Sequence, residues 1–225
     1  MVAFCIVFWT VGVVQANQPD GKVIGSVSFL GSIPEEEILE VSRDRAVCGE
    51  SRSFLPIRVN PANQGLHHAL VSIKASSLPE RQFPAKSHLL VNKECRFSPH
   101  VSAAQVGDKL EVHNRDPILH NTHISRKKRT FLNVAQLPGS RPIPKIIKQE
   151  GEYAIQCDKH KFMKGILQVF SHPYFMVTDQ LGTFELPPLP GGTYTLQVWH
   201  ERLGVLEKEI QVPAAETVTV KFEYH

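Results

Sequence analysis

Apolar and polar residues alternate along most of this chain, whereas apolar residues at helical spacing are scarce. Val23, Val27 and Phe29 fall on alternate positions, and Tyr153 and Ile155 do the same much further along. A period of two is typical of strands with one buried face, because successive side chains point to opposite faces of a sheet. Many such short segments, separated by turns rich in Gly and Pro, predict an all-β protein made of sandwiches or barrels.

The predicted strands fall into two units. Residues 17–171 form the larger one, and residues 172–225 hold about five strand candidates. The second unit is small for an independent core, so we expect it to pack on the first. Residues 17–90 fit either unit: they supply the first strands of the larger one, or they complete the C-terminal one through residues 21–30. Within them, residues 34–41 (PEEEILEV) are the best candidate for a short helix or loop.

The composition excludes several classes of protein. With 42% hydrophobic and 21% charged residues, a chain of 225 residues is expected to fold rather than to be disordered. A net charge of +3 is too small to indicate nucleic-acid binding. We expect no enzyme activity, since the sequence contains neither a G-x-x-x-x-G-K nor a G-x-S-x-G motif. Eleven histidines are a first hint of a metal.

The first sixteen residues carry no charged side chain. Residues 4–14 are apolar, and small residues occupy the two positions that a signal peptidase reads, Val14 and Ala16. Residues 1–16 are therefore predicted to be a cleaved signal peptide, which places the protein in the periplasm or outside the cell. The alternative is a membrane anchor, for which sixteen residues are short.

Export makes the cysteines informative. Cleavage removes Cys5 and leaves Cys48, Cys95 and Cys157. In an oxidising compartment two of the three are expected to pair, and one is left over.

The most informative motif is the segment CDKHKFM, which starts at Cys157 and places His160 and Met163 within seven residues, directly after a predicted strand. A thiolate, an imidazole and a thioether favour copper over hard cations, and two His plus one Cys with a weak axial Met is the blue-copper arrangement. The second imidazole is expected from His120, in the segment NRDPILHNTH of residues 114–123. His120 follows a strand and a turn, so it can reach the end of the strand that carries Cys157.

From residue 95 to residue 170 the chain resembles the cupredoxin family. The segments FSP, VG, NRDPILHN, GEY and CDKHKFMKG occur in the order found in plastocyanins and amicyanins, and the short spacing from Cys157 to Met163 is most similar to amicyanin. The whole arrangement is similar to exported plastocyanin-like proteins of the methylamine-utilisation type. Through LPGGTY at residues 189–194, the tail resembles a carboxypeptidase-regulatory or transthyretin-like sandwich.

The resemblance implies a Greek-key β-sandwich that holds one type 1 copper ion and acts as a one-electron carrier. It implies His120, Cys157 and His160 as strong ligands, Met163 as the axial ligand, and His160 as the electron exit. Asn121 is implied to brace the ligand loops through hydrogen bonds. With Cys157 held by copper, Cys48 and Cys95 are left to form a disulfide.

Several alternatives remain open at the level of the sequence. Cys157 and Met163 also fit ordinary core packing, and His123 is either a strand histidine or a ligand in place of His120. The basic run at residues 126–129 fits a solvated hairpin, or a docking patch for an acidic redox partner or an anionic membrane surface. Two rival functions are a copper delivery or sensing module without electron transfer, and an exported interaction protein that has lost its metal.

Overall fold

The computed structural model describes residues 19–74, residue 78 and residues 83–225. The predicted signal peptide at residues 1–16 lies outside the described residues. The all-β prediction is confirmed, because strands dominate these ranges and the helix α1 (Arg45–Cys48) is four residues long. Within the described ranges, no helix has both the length and the apolar character needed to cross a membrane.

The first sandwich is built from two sheets around one apolar core. Its larger sheet has the order β10-β9-β12-β13-β7, with strands β7 (Val101–Gln105), β9 (His120–Arg126), β10 (Arg129–Gln136), β12 (Gly151–Gln156) and β13 (Lys164–Phe170). The facing sheet has the order β11-β8-β5-β6, with strands β5 (Ser87–Lys93), β6 (Arg96–Ser98), β8 (Lys109–Asn114) and β11 (Ile143–Ile146). Alternate residues such as Leu110, Ile124 and Leu167 fill the space between the sheets, as their period of two predicts.

The second sandwich contains strands from both ends of the chain. One sheet has the order β15-β1-β18, with β1 (Lys22–Phe29), β15 (Thr183–Glu185) and β18 (Thr217–Tyr224). The other has the order β14-β4-β16-β17, with β4 (Leu70–Ile73), β14 (Phe175–Val177), β16 (Gly192–His200) and β17 (Gly204–Val212). Val27, Val71 and Phe222 share its core.

This pairing corrects the predicted division at residue 172. Strand β1 pairs in parallel with β18 over all eight of its residues, and β4 pairs with β16. The physical reason is the one expected from size: the strands after residue 172 are too few to cover a core, and the two N-terminal strands complete both sheets. Of the two alternatives for residues 17–90, the structure therefore shows that residues 22–29 and 70–73 belong to the C-terminal sandwich.

Between β1 and β4 the chain crosses to the first sandwich. Strands β2 (Glu37–Glu40) and β3 (Ser51–Phe54) pair with each other and enclose α1, and we call residues 37–54 the β2–β3 hairpin. Of residues 34–41, the candidate for a short helix or loop, residues 37–40 instead pair as a strand with residues 51–54, and the rest form loop. Val41 and Cys48 of the hairpin lie in the core of the first sandwich.

The position of β1 predicts that a methyl group at Gly25 is not tolerated. A Cβ there would overlap the carbonyl oxygen of Val220 and the ring of Phe184, which belong to the two neighbouring strands. We expect Gly25→Ala to lower the free energy of unfolding by about 1–3 kcal/mol, measured by chemical denaturation. Ser26→Ala is the control, because it changes the neighbouring residue of β1 without adding an atom. It is expected to change the free energy of unfolding by less than about 0.5 kcal/mol. A Gly25→Ala protein as stable as the wild type would contradict the placement of β1 between β15 and β18.

Candidate metal centre

The strand pairing brings the distant predicted ligands together at one end of the first sandwich. His120 is the first residue of β9, and Cys157 directly follows the last residue of β12. The two strands are antiparallel neighbours, with His123 opposite Gln156. The beginning of β9 therefore lies beside the end of β12, where the loop of residues 157–163 leads into β13.

The ligand atoms of three predicted residues converge. The Nδ1 atoms of His120 and His160 are 3.1 Å apart, and the Sγ of Cys157 is 3.6 Å from Nδ1 of His160. All three atoms lie within 4.8 Å of one another. His120 and Cys157 are fully buried and His160 is 1% exposed, so water is largely excluded from the cluster.

The loop that carries Cys157 and His160 is folded back on itself. The backbone N–H of His160 donates to Sγ of Cys157 at 3.4 Å, and the N–H of Met163 donates to the carbonyl of His160 at 2.9 Å. The N–H of Cys157 in turn donates to the carbonyl of Met163 at 3.3 Å. Met163 is buried in the same core as Cys157, at the end of this loop.

A carboxylate holds the outer nitrogen of His120. Nε2 of His120 lies 2.7 Å from Oδ2 of Asp116, and Asp116 also accepts the backbone N–H groups of Glu94 and Cys95 at 2.6 and 2.9 Å. Burial lowers the pKa of His120, and the Asp116 carboxylate acts in the opposite direction. The lowered pKa favours the neutral imidazole, which is the form that binds a metal.

A second carboxylate holds His160 in the same way. Nε2 of His160 lies 2.7 Å from Oδ2 of Asp44, and Nζ of Lys159 lies 2.6 Å from the same oxygen. Hydrogen bonds from Lys159 and His160 keep the pKa of Asp44 below its usual range. Asp44 belongs to the β2–β3 hairpin, so residues 116 positions apart in the sequence meet here. Asp44 thus covers the outer nitrogen of the imidazole implied as electron exit, and Lys159 pairs with Asp44.

The two carboxylates determine which nitrogen of each ring carries the proton. An ionised carboxylate only accepts hydrogen bonds, so each Nε2 is the donor and each Nδ1 keeps its lone pair. Two lone pairs then face each other at 3.1 Å beside a thiol. These separations suit ligand atoms about 2.0–2.3 Å from one shared ion. Two imidazoles and a thiol are donors that suit copper, so the donor set fits a copper ion.

Asn121 contacts the ligand loop. Its Oδ1 accepts the backbone N–H of Asp158 at 3.2 Å, and its Nδ2 donates to Oδ1 of Asn133 at 2.7 Å. It thus ties the strand that begins at His120 to the loop that carries Cys157 and His160.

His123 faces away from the cluster, because it is an odd number of residues from His120 on the same strand. Its Nδ1 lies 3.2 Å from Asp158 and its Nε2 lies 3.2 Å from Oγ1 of Thr130. The structure therefore places it as a strand histidine on the outer face of the sheet.

The basic run of residues 126–129 lies far from the cluster. It forms the turn between β9 and β10, and β9 carries it about 20 Å from His120 along seven residues. Arg126 donates to the carbonyl of Glu150 at 2.7 Å. The structure thus places the basic run at a hairpin turn.

The expected disulfide is present, and each of its cysteines is close to one of the two carboxylates. Cys48 and Cys95 are joined with a Cα–Cα distance of 5.6 Å. Cys48 ends the helix that begins after Asp44, and the N–H of Cys95 donates to Asp116. Cys157 remains a free thiol.

From the sequence, the proximity of Asp116 to His120 suggests only an acid/base pair without a nucleophile, and Asp44 is not connected with His160. For Asp116 a signal exists, because it precedes His120 by four residues in the turn between β8 and β9. Asp44 carries no comparable signal, since nothing near it in the sequence resembles a ligand motif.

No protein-family model matches the chain. In sequence it is 27% identical over 92 residues to the methylamine utilization protein MauL of Methylobacillus flagellatus, which covers 38% of this chain and 59% of that protein. The chain thus matches little more than half the length of this curated relative.

Three solved copper proteins are similar over less than half of the chain. A reduced Cu(I) form of an amicyanin variant is 19% identical, with a TM-score of 0.34, and covers 44% of this chain and 98% of its own. A purple cupredoxin from Nitrosopumilus maritimus is 19% identical, with a TM-score of 0.32. The match covers 39% of this chain and 100% of the cupredoxin chain. A copper-containing nitrite reductase from Thermus scotoductus is 20% identical, with a TM-score of 0.34. The match covers 44% of this chain and 25% of the reductase chain.

The disulfide is expected to contribute strongly to stability. It closes a loop across 47 positions, for which the chain-entropy model gives about 4 kcal/mol. We expect the paired substitutions Cys48→Ser and Cys95→Ser to lower the free energy of unfolding by about that amount, measured by chemical denaturation of the full chain. Val47→Ala, at an exposed position of the same helix, is the control. A loss below about 1 kcal/mol would show that the hairpin is held on the first sandwich without the disulfide.

Proposed function

We propose that this protein binds one type 1 copper ion through His120, Cys157 and His160, with Met163 as the axial ligand, and that it carries single electrons between redox partners. The observation that carries the proposal is the convergence of two Nδ1 atoms and a thiol in a buried cluster, 3.1 and 3.6 Å apart. Such a trigonal set with a weak axial thioether is the blue-copper arrangement.

Copper bound in this way supplies a one-electron couple. The protein's part is to keep its ligands fixed in both oxidation states. His120 and Cys157 are anchored at the ends of paired strands, and Asn121 ties their segments together. Asp116 and Asp44 hold the two imidazoles with Nδ1 inward, and such partners raise the basicity of the ligand.

The burial of the cluster favours a carrier over an enzyme or a delivery protein. A substrate needs access to the metal, and a delivery protein needs exposed ligands for its partner, whereas all three ligand residues are at most 1% exposed. An electron needs only a short path. Nε2 of His160 is one hydrogen bond from Asp44, whose side chain is 25% exposed. We therefore propose no catalytic turnover, and electron exchange through the surface around Asp44.

The proposed partner is a redox protein. Lys161, with a side chain 77% exposed, and the exposed Lys164 lie in or next to the ligand loop. Complementary charge speeds the encounter with an acidic protein. The relative MauL is named for methylamine utilization, and the partner here is proposed to belong to a redox system of that kind. A periplasmic or secreted location is supported by the disulfide, since such bonds persist in oxidising compartments.

Copper titration of the metal-free protein tests the site. We expect one equivalent of Cu(II) to produce an intense thiolate-to-copper absorption band that is lost and regained on reduction and reoxidation. Cys157→Ser is expected to abolish the band, because it removes the thiolate. Met163→Leu is expected to keep the band and raise the reduction potential, because the axial thioether is lost. His123→Ala, which removes a histidine of the same strand outside the cluster, is the control and is expected to leave both unchanged.

Three results would count against the proposal. Copper that binds at one equivalent without the band would exclude a type 1 site. A band that cannot be reduced and reoxidised would exclude the carrier function and favour copper sensing or delivery. Preferential retention of zinc under copper-rich conditions would show that the donor set serves another metal.

A further inference from the structure

We propose that Asp44 is a positioning residue of the metal centre: its carboxylate, brought in by the β2–β3 hairpin, fixes His160 with Nδ1 toward Cys157 and covers the outer nitrogen of that ligand. The effect of Asp44 on copper rests on the proposed function. Its effect on the imidazole ring does not, and the two are tested separately below.

The hairpin is firmly attached to the first sandwich on both sides of Asp44. The disulfide joins Cys48 to Cys95 four residues after Asp44, and Val41 is buried in the core three residues before it. Further along, Arg52 donates to the carbonyl of Glu94 at 2.7 Å. Asp44 is therefore held by fixed backbone on either side.

The backbone of Asp44 adopts a conformation that suits this position. Its φ of 54° lies in the left-handed region, which Asp tolerates better than most residues because its short polar side chain can form local hydrogen bonds. The carbonyl of Asp44 accepts the N–H groups of Val47 and Cys48, both at 2.9 Å. The backbone thus starts the turn of α1, and the side chain contacts His160 and Lys159 instead of capping the helix.

Without this carboxylate the imidazole of His160 would lose its partner. The ring is buried, and Asp44 accepts from its outer nitrogen at 2.7 Å. A buried donor without an acceptor is unfavourable, so the ring would change its tautomer or its orientation. Either change moves the Nδ1 lone pair away from the position that faces Cys157.

Asp44 also adds a negative charge one imidazole away from the proposed ion. Lys159 offsets this charge from the outer side. Removal of the Asp44 charge alone leaves Lys159 unpaired, so the surroundings become more positive. A more positive surrounding favours Cu(I) over Cu(II), which raises the reduction potential.

Nuclear magnetic resonance of the metal-free full chain tests the effect on the ring without copper. We expect two-dimensional ¹H–¹⁵N spectra of the imidazoles to show His160, assigned through His160→Gln, with its proton on Nε2. Asp44→Ala is expected to lose this single tautomer, and Asp44→Asn is expected to keep it, since the amide oxygen still accepts a hydrogen bond. Glu50→Gln is the control, because it removes a negative charge from the same hairpin at a residue paired with Arg45.

The copper-bound full chain tests the effect on the metal. We expect Asp44→Ala to weaken copper affinity by about 10- to 100-fold in competition with a chelator. Asp44→Asn is expected to bind nearly as well as the wild type but with a raised reduction potential, which a purely structural role would not produce. Glu50→Gln is expected to match the wild type in both measurements.

The results separate the two proposals. If Asp44→Ala retains the wild-type tautomer and copper affinity, or if Asp44→Asn leaves the potential unchanged, Asp44 does not position the centre. If Asp44→Ala does not fold, the potential of Asp44→Asn decides: a raised potential supports the proposal, and an unchanged one overturns it. If the wild type binds copper without the thiolate band, the proposed function fails, and the spectra of the metal-free protein still decide whether Asp44 orients His160.

Discussion

Two imidazole nitrogens facing each other at 3.1 Å are the feature on which the rest of the site depends. Neutral rings in this arrangement direct their lone pairs at one another, which is unfavourable unless a positive charge lies between them. Asp116 and Asp44 prevent either ring from turning away, because each holds the opposite nitrogen at 2.7 Å. The thiol of Cys157 adds a third donor. The protein thus maintains a repulsive arrangement that the proposed copper ion would relieve.

The fold maintains this arrangement through a connected set of polar contacts. Asp116 is fixed by the N–H groups of Glu94 and Cys95, and its own N–H donates to Asn114 at 3.0 Å. The amide of Asn114 donates in turn to the carbonyls of Ile118 and Gln136, at 2.8 and 3.0 Å. The turn before His120 is therefore held at several points, so the imidazole is oriented in the metal-free protein.

The features that could be read from the sequence are those encoded locally. The alternation of apolar residues fixes the strands, and the spacing of Cys157 and His160 places both in one loop after a strand. His120 could be paired with them because a turn and a strand precede it. The role of Asp44 could not be predicted, because the contact spans 116 positions and depends on a hairpin whose attachment is tertiary. Residues 37–40 show the same limit: the local pattern of residues 34–41 suggests a short helix or loop, and pairing with β3 makes residues 37–40 a strand.

The path of the chain between the two sandwiches explains how Asp44, which is distant in the sequence, lies beside His160. The chain leaves the second sandwich after β1, covers His160 with Asp44, and returns to the second sandwich at β4. The strands before and after this segment therefore both belong to the second sandwich. Direct contacts join the two units as well, with His100 2.7 Å from Glu201 and Arg202 3.1 Å from Glu37. The hairpin can hold one carboxylate in place because Val41 and the disulfide from Cys48 to Cys95 attach it to the first sandwich, while the strands before and after it belong to the second. The second sandwich thus helps to position Asp44 beside His160, although none of the proposed ligands belongs to it.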